Sequence, residues 1–143
     1  MFKNILIPVD LAHEEQLSRL MEAAVLLIGS SKAKIDLLYV DQSLVHQGSY
    51  PYLDETTYAE HKKAAKARLQ HHIDTLAPAH VTCASHIRNG AAHDHIVEEA
   101  KALHSDAILM MAKRPGISSY FIGSTAERVV RHADCSVFVI RDE

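Results

Sequence analysis

The stretch richest in chemistry is Met110-Met111-Ala112-Lys113-Arg114-Pro115-Gly116-Ile117-Ser118-Ser119-Tyr120-Phe121-Ile122-Gly123-Ser124-Thr125-Ala126-Glu127. It runs from an apolar segment, through small and basic residues, into a segment with helical spacing. Gly123 and Ser124 fall where that helix should begin. The first turn of a helix leaves backbone N–H groups without acceptors and turns the positive end of the helix dipole outward, which suits a phosphate. Lys113 and Arg114 would add positive charge. The same residues also read as an ordinary helix start, with Ser124 as N-cap and Gly123 permitting a tight entry, and the two readings are compatible. Asp10, the carboxylate that ends the first apolar run, is the second candidate. It reads as a hydrogen-bond acceptor for a ligand, as a solvated strand-end carboxylate, or as a cap for the segment that follows.

Other reactive side chains carry less. No carboxylate pair and no lysine in a phosphate-loop frame is present, so neither a catalytic residue nor a metal ligand is assigned. The chain has 11 histidines. His71-His72 and His93-Asp94-His95 are spaced at one or two residues, which does not place them on one helical face, so they read as solvated. His132, near a helix C-terminus, is favoured there when protonated. Lys62, Lys63, Lys66 and Arg68 share a helix with Asp54, Glu55 and Glu60 and read as a solvated face. Cys83 and Cys135 lack metal or redox spacing and read as reduced core thiols.

The elements that must position these residues follow from apolar periodicity. Residues 5–10 form a short apolar run closed by a carboxylate, as in a strand covered on both faces. Leu17, Leu20, Met21, Ala24, Leu27 and Ile28 line one helical face, with Gly29 as the stop. Residues 35–41 form a second strand. Ala65, Leu69, Ile73 and Leu76 mark a long helix stopped before Pro78, and the intervening segment 42–54 reads as a flap or partner surface. Residues 81–87 alternate as a less buried, edge-like third strand. After Asn89-Gly90 comes a helix with Ile96, Ala100 and Leu103 inward. Residues 107–112 form a fourth strand, residues 124–132 the last helix, and residues 137–140 a fifth strand. Strands alternating with helices argue for an open α/β sheet, which binds ligands beyond the carboxyl ends of its strands.

Length and composition bound the rest. With 143 residues, 48% hydrophobic and 23% charged, the chain has the balance of one globular domain. Fifteen Lys and Arg against 18 acids give a net charge of −3, so no basic field exists for nucleic acid or an anionic membrane. No apolar run approaches the roughly 20 residues of a membrane helix, and Met1-Phe2-Lys3-Asn4 leads into a strand without a signal-peptide core. A cytoplasmic protein is expected.

In combination, Asn4-Ile5-Leu6-Ile7-Pro8-Val9-Asp10, Tyr39-Val40, Gly90 before the third helix, and the closing residues 123–140 resemble the universal stress protein (UspA-like) family over nearly the whole chain. The resemblance implies one domain over residues 1–143. It also implies a Rossmann-like open five-stranded parallel sheet in the order 3-2-1-4-5 with helices on both faces. Many members of that family bind ATP through a pattern G-x2-G-x9-G-S/T. Here only Gly123-Ser124 remains, with Lys113 and Met110, or Met111 in a shorter loop, standing at the glycine positions. The segment 114–124 resembles instead the enterobacterial F/G-type branch, which is associated with nucleotide binding.

Carried onto this sequence, the resemblance places Pro8, Val9 and Asp10 beside an adenosine and gives Val40 the adenine edge. Met110 lies against base or ribose with Met111 at the obstructed glycine position, and Gly123, Ser124 and Thr125 hold phosphates. It implies ATP as ligand, with or without Mg2+, and a regulatory binding protein of the stress response. A module of the same fold that has lost nucleotide is the alternative, and a slow ATPase is a lesser one. In the family's strand order, residues 137–140 form an apolar edge strand, which a second copy would cover, so a homodimer is expected.

Overall fold

The computed structural model describes residues 2–42, 55–112 and 123–141. Its strands are β1 (Asn4–Pro8), β2 (Ala33–Asp41), β3 (Val81–Asn89), β4 (Ala107–Met111) and β5 (Ser136–Ile140). Every neighbouring pair is parallel, and the order is β3-β2-β1-β4-β5. Four α-helices connect them: α1 (Gln16–Ile28), α2 (Glu55–Leu76), α3 (Ala92–Ala102) and α4 (Ser124–His132). The architecture and strand order are those implied by the resemblance. The expected flap at 42–54 lies outside the described residues from position 43 on, as do Lys113, Arg114 and Gly116.

The continuous apolar runs are explained by two-sided burial. Successive residues of a strand point to opposite faces, so Ile5 and Ile7 of β1 meet α1 and α2, while Leu6 meets α3 and α4. Leu109 and Ile108 of β4 divide in the same way. The helices bring matching stripes: Leu17, Leu20, Met21 and Ala24 from α1 and Ala65 and Leu69 from α2 on one face, Ile96, Ala100, Ala126 and Val129 on the other.

The chain leaves β1 toward β2 on one side and returns through β4 on the other. Strand order therefore reverses between β1 and β4, and the crevice expected at such a switch point opens at their carboxyl ends. Gly90 closes the neighbouring end of β3. It has φ +131°, its N–H donates to the Asp41 carbonyl at 3.0 Å, and a Cβ there would lie 2.8 Å from His95 Nε2.

One reading from the sequence needs correction, that of the cysteines, and two sets of contacts go beyond what the sequence suggests. Arg68 lies on the exposed face of α2, as the sequence suggests, and it also donates to the Leu11 carbonyl and to Glu14, each at 2.8 Å. A guanidinium presents several donors in a fixed fork, and here two of them join α2 to the connection between β1 and α1. Cys83 and Cys135 are partly buried rather than core thiols, and burial pushes both thiols up. Asp36 is 1% exposed in the middle of β2. Its Oδ1 lies 2.8 Å from His86 Nε2 and 3.5 Å from Lys34 Nζ, which gives a buried carboxylate the partners it requires.

Candidate crevice at the carboxyl ends of the strands

The β1–α1 connection is built by Asp10. Its backbone is extended, and its Oδ1 accepts from the Ala12 N–H at 2.9 Å, capping a 3-10 turn, Leu11–His13. Two of the sequence alternatives therefore hold together, because Asp10 is an exposed strand-end carboxylate and also a turn cap. His13 Nε2 approaches Asp10 Oδ2 at 4.0 Å.

The far wall is the start of α4. Gly123, not Ser124, occupies the N-cap position, with φ 95° and ψ 147° and no side-chain cap. The expected Ser124 cap is thereby corrected: Ser124 is the first helical residue, because only glycine readily adopts the backbone that Gly123 has there. The first helical hydrogen bond runs from the Glu127 N–H to the Gly123 carbonyl at 3.0 Å. The amides of Ser124, Thr125 and Ala126 precede it and have no helical acceptor.

Between these walls lies a cavity of about 780 Å³, within the range of small-molecule sites. All nine residues singled out in the sequence line it: Pro8, Val9, Asp10, Val40, Met110, Met111, Gly123, Ser124 and Thr125. Met110 is buried against the α3–α4 side of the sheet, and Met111 packs toward the opposite side. Strand alternation thus directs the two thioethers to different faces of β4, and the cavity stays open between them.

The cavity also takes in residues that sequence reading passed over. Tyr39 and Asp41 flank Val40, His13 comes from the β1–α1 connection, Gln16 from the start of α1, and Ala92 and Ile96 from the first turns of α3. The rule that ligands gather at strand carboxyl ends would have found Asp41 and His13. Ile96 carried no such signal, since its apolar position was already explained as core.

Electrostatically the described wall is mixed. Burial raises the Tyr39 hydroxyl, the carboxylates of Asp41 and Asp10 raise it further, and Arg68 opposes them. Tyr39 therefore remains a neutral phenol able to donate a hydrogen bond. Burial and Asp41 likewise raise Tyr58. No cluster of three or more His, Cys, Asp or Glu side chains suited to a metal ion occurs among the described residues. Among them, no helix is long and apolar enough to cross a membrane.

Comparison with known proteins bears on this geometry. Residues 1–141 match the model of the universal stress protein family. Universal stress protein G of Escherichia coli O157:H7 is 30% identical over 145 residues, covering 99% of this chain and all of that protein. The structure of the universal stress protein UspA from Lactobacillus plantarum is 30% identical, with a TM-score of 0.72 and 98% of each chain covered. A universal stress protein from Archaeoglobus fulgidus, solved in complex with dAMP, shares the fold at 16% identity. Its TM-score is 0.68, over 97% of this chain and 98% of that one.

Proposed function

The chain belongs to the universal stress protein family, and from that premise we propose that it is a regulatory protein whose crevice binds an adenine nucleotide. One observation carries the reading: the amides of Ser124, Thr125 and Ala126, without helical acceptors, stand in the wall of a cavity of about 780 Å³. Free amides at a helix start hold phosphoryl oxygens without any change of protonation. The dAMP complex of the Archaeoglobus fulgidus relative adds support from the family.

In this reading Pro8, Val9 and Asp10 flank the adenosine, and the Val40 backbone reads the adenine edge. Met110 packs against base or ribose with Met111 next to it at the glycine position, while Gly123, Ser124 and Thr125 hold the phosphates. The donor set fits the group. Asp10 Oδ2 can accept from a ribose hydroxyl while Oδ1 caps the turn, and Gly123, buried with φ 95°, has the backbone that glycine readily adopts before the free amides. The ligand is ATP, with or without Mg2+, and the function is binding rather than turnover. The same reading treats residues 1–143 as one domain and places the protein in the cytoplasm.

Calorimetric titration tests this. Saturable heat with ATP below the millimolar range is expected, compared with and without Mg2+. No heat at millimolar nucleotide would instead favour the module that has lost its ligand, the reading to which Met110, Met111 and Lys113 at glycine positions point. Phosphate release above a buffer blank would favour an ATPase.

The proposal extends to a homodimer. β5 ends the sheet, and Val137, Phe138, Val139 and Ile140 are all partly exposed there. An apolar strand with an open ladder is a pairing surface, and antiparallel pairing about a twofold axis covers both copies at once. Light scattering at micromolar concentration should give twice the 15.9 kDa chain mass; a monomer would overturn this part of the proposal.

A further inference from the structure

The turn that carries Asp10 is held from behind by a helix that itself stands outside the crevice. Arg68, in α2, donates from Nη2 to the Leu11 carbonyl at 2.8 Å and from Nε to Glu14 Oε1 at 2.8 Å. His72, one helical turn further on, places Nε2 3.3 Å from the same Glu14 oxygen. These contacts bridge 54 to 58 residues of sequence. Leu11 and Glu14 bracket the 3-10 turn, and Asp10 and His13 on that turn line the crevice.

We infer that Arg68 is a positioning residue for the crevice: by gripping the Leu11 carbonyl and the Glu14 carboxylate, it fixes the turn that presents Asp10 to a bound nucleotide. This rests on the nucleotide reading given above. The physical ground is conformational. A short connection between strand and helix loses conformational entropy when held in one geometry, and charge-assisted hydrogen bonds at both ends offset part of that cost. Without them the turn spends less time in the competent geometry, and apparent affinity falls by the same fraction. The Arg68 and Glu14 groups reinforce each other, since the guanidinium beside Glu14 holds its carboxyl below the usual range. Linkage makes the coupling reciprocal, so nucleotide in the crevice tightens the hold of α2 on the turn.

A double-mutant cycle read by ATP titration tests the inference. Arg68→Met should weaken ATP binding by roughly tenfold, equal to about 1.4 kcal/mol. Arg68→Lys, which keeps the charge and one donor direction, should lie between it and wild type. In an Asp10→Ala background, Arg68→Met should change affinity by less than about twofold, because the group it positions is gone. A full tenfold loss in both backgrounds, or none in wild type, would overturn the role. Amide hydrogen exchange at residues 11–14 supplies a readout without nucleotide: faster exchange in Arg68→Met is expected, and unchanged protection would overturn the latch. Should wild type give no heat with ATP, the nucleotide reading falls, while faster exchange would still support the hold of Arg68 on the turn.

Discussion

Replacing Gly123 by valine is expected to reduce ATP affinity by about a hundredfold or more, whereas Ser124→Ala should reduce it by less than about tenfold. The difference comes from what each change removes. Gly123 sits at φ 95° and ψ 147°, a region essentially restricted to glycine, and forcing a side chain into it costs on the order of 1–3 kcal/mol. A β-branched residue relieves that strain only by rotating the backbone, which turns the amides of Ser124 and Thr125 away from the crevice. A charge-assisted hydrogen bond to phosphate contributes about 1.5–3 kcal/mol, so misdirecting even one of these amides together with the strain reaches the stated factor. Ser124→Ala leaves every amide in place and removes a single hydroxyl. Titration calorimetry on both variants, with thermal melting to verify that each is folded, decides the matter. Equal and negligible effects would show that the start of α4 does not hold the ligand.

The second large effect concerns stability. His86→Leu should lower the unfolding free energy by about 3 kcal/mol, because it strands the Asp36 carboxylate inside the sheet. Asp36 is 1% exposed, and its nearest partner is His86 Nε2 at 2.8 Å; the remaining one, Lys34 Nζ at 3.5 Å, belongs to a side chain 42% exposed. Water screens that lysine, so it cannot replace the lost hydrogen bond in full. The double variant Asp36→Leu with His86→Leu should recover to within about 1 kcal/mol of wild type, since replacing both members of a buried pair by apolar groups removes the desolvation cost along with the attraction. Urea denaturation of the three proteins measures this directly. A single His86→Leu variant as stable as wild type would mean that Lys34 or water satisfies Asp36 alone.

Most of the architecture was legible in the linear pattern. β1 and β4 read as fully covered strands because residues 5–9 and 107–112 are continuously apolar, which burial on both faces explains. The α1 stripe at Leu17, Leu20, Met21 and Ala24 and the α2 stripe at Ala65, Leu69 and Ile73 follow the helical repeat that packing against a sheet demands. α4 begins at Ser124, the predicted residue, because Gly123 is a local signal needing no distant partner. The boundaries of β2 and β3 were less legible. β2 begins at Ala33, two residues before the predicted position 35, and β3 continues to Asn89, two beyond position 87. Ala33 pairs with Val81 and Asn89 with Asp41 along the ladder, and such pairing leaves little trace in hydrophobicity.

The site was legible as a set of residues but not as a wall. All nine singled-out positions line one cavity, since each sits at a strand end or a helix start, and topology brings those ends together. Tyr39 went unnoticed because strand periodicity already accounted for it. The contacts of Arg68 left no trace in the sequence because its partners, Leu11 and Glu14, lie more than fifty residues earlier in the chain.

The sequence by itself determined which segments are strands and helices, that the sheet is parallel and covered on both sides, and that the last helix starts at Gly123-Ser124. These properties come from short-range periodicity and local backbone preference, which a linear reading captures. Only the tertiary structure decided that Asp36 meets His86 of β3, that Arg68 grips the turn bearing Asp10, and that the two methionines of β4 line the crevice from opposite faces. Those outcomes depend on where residues fifty or more positions apart come to lie, and on the face to which each side chain is turned, neither of which the order of residues states.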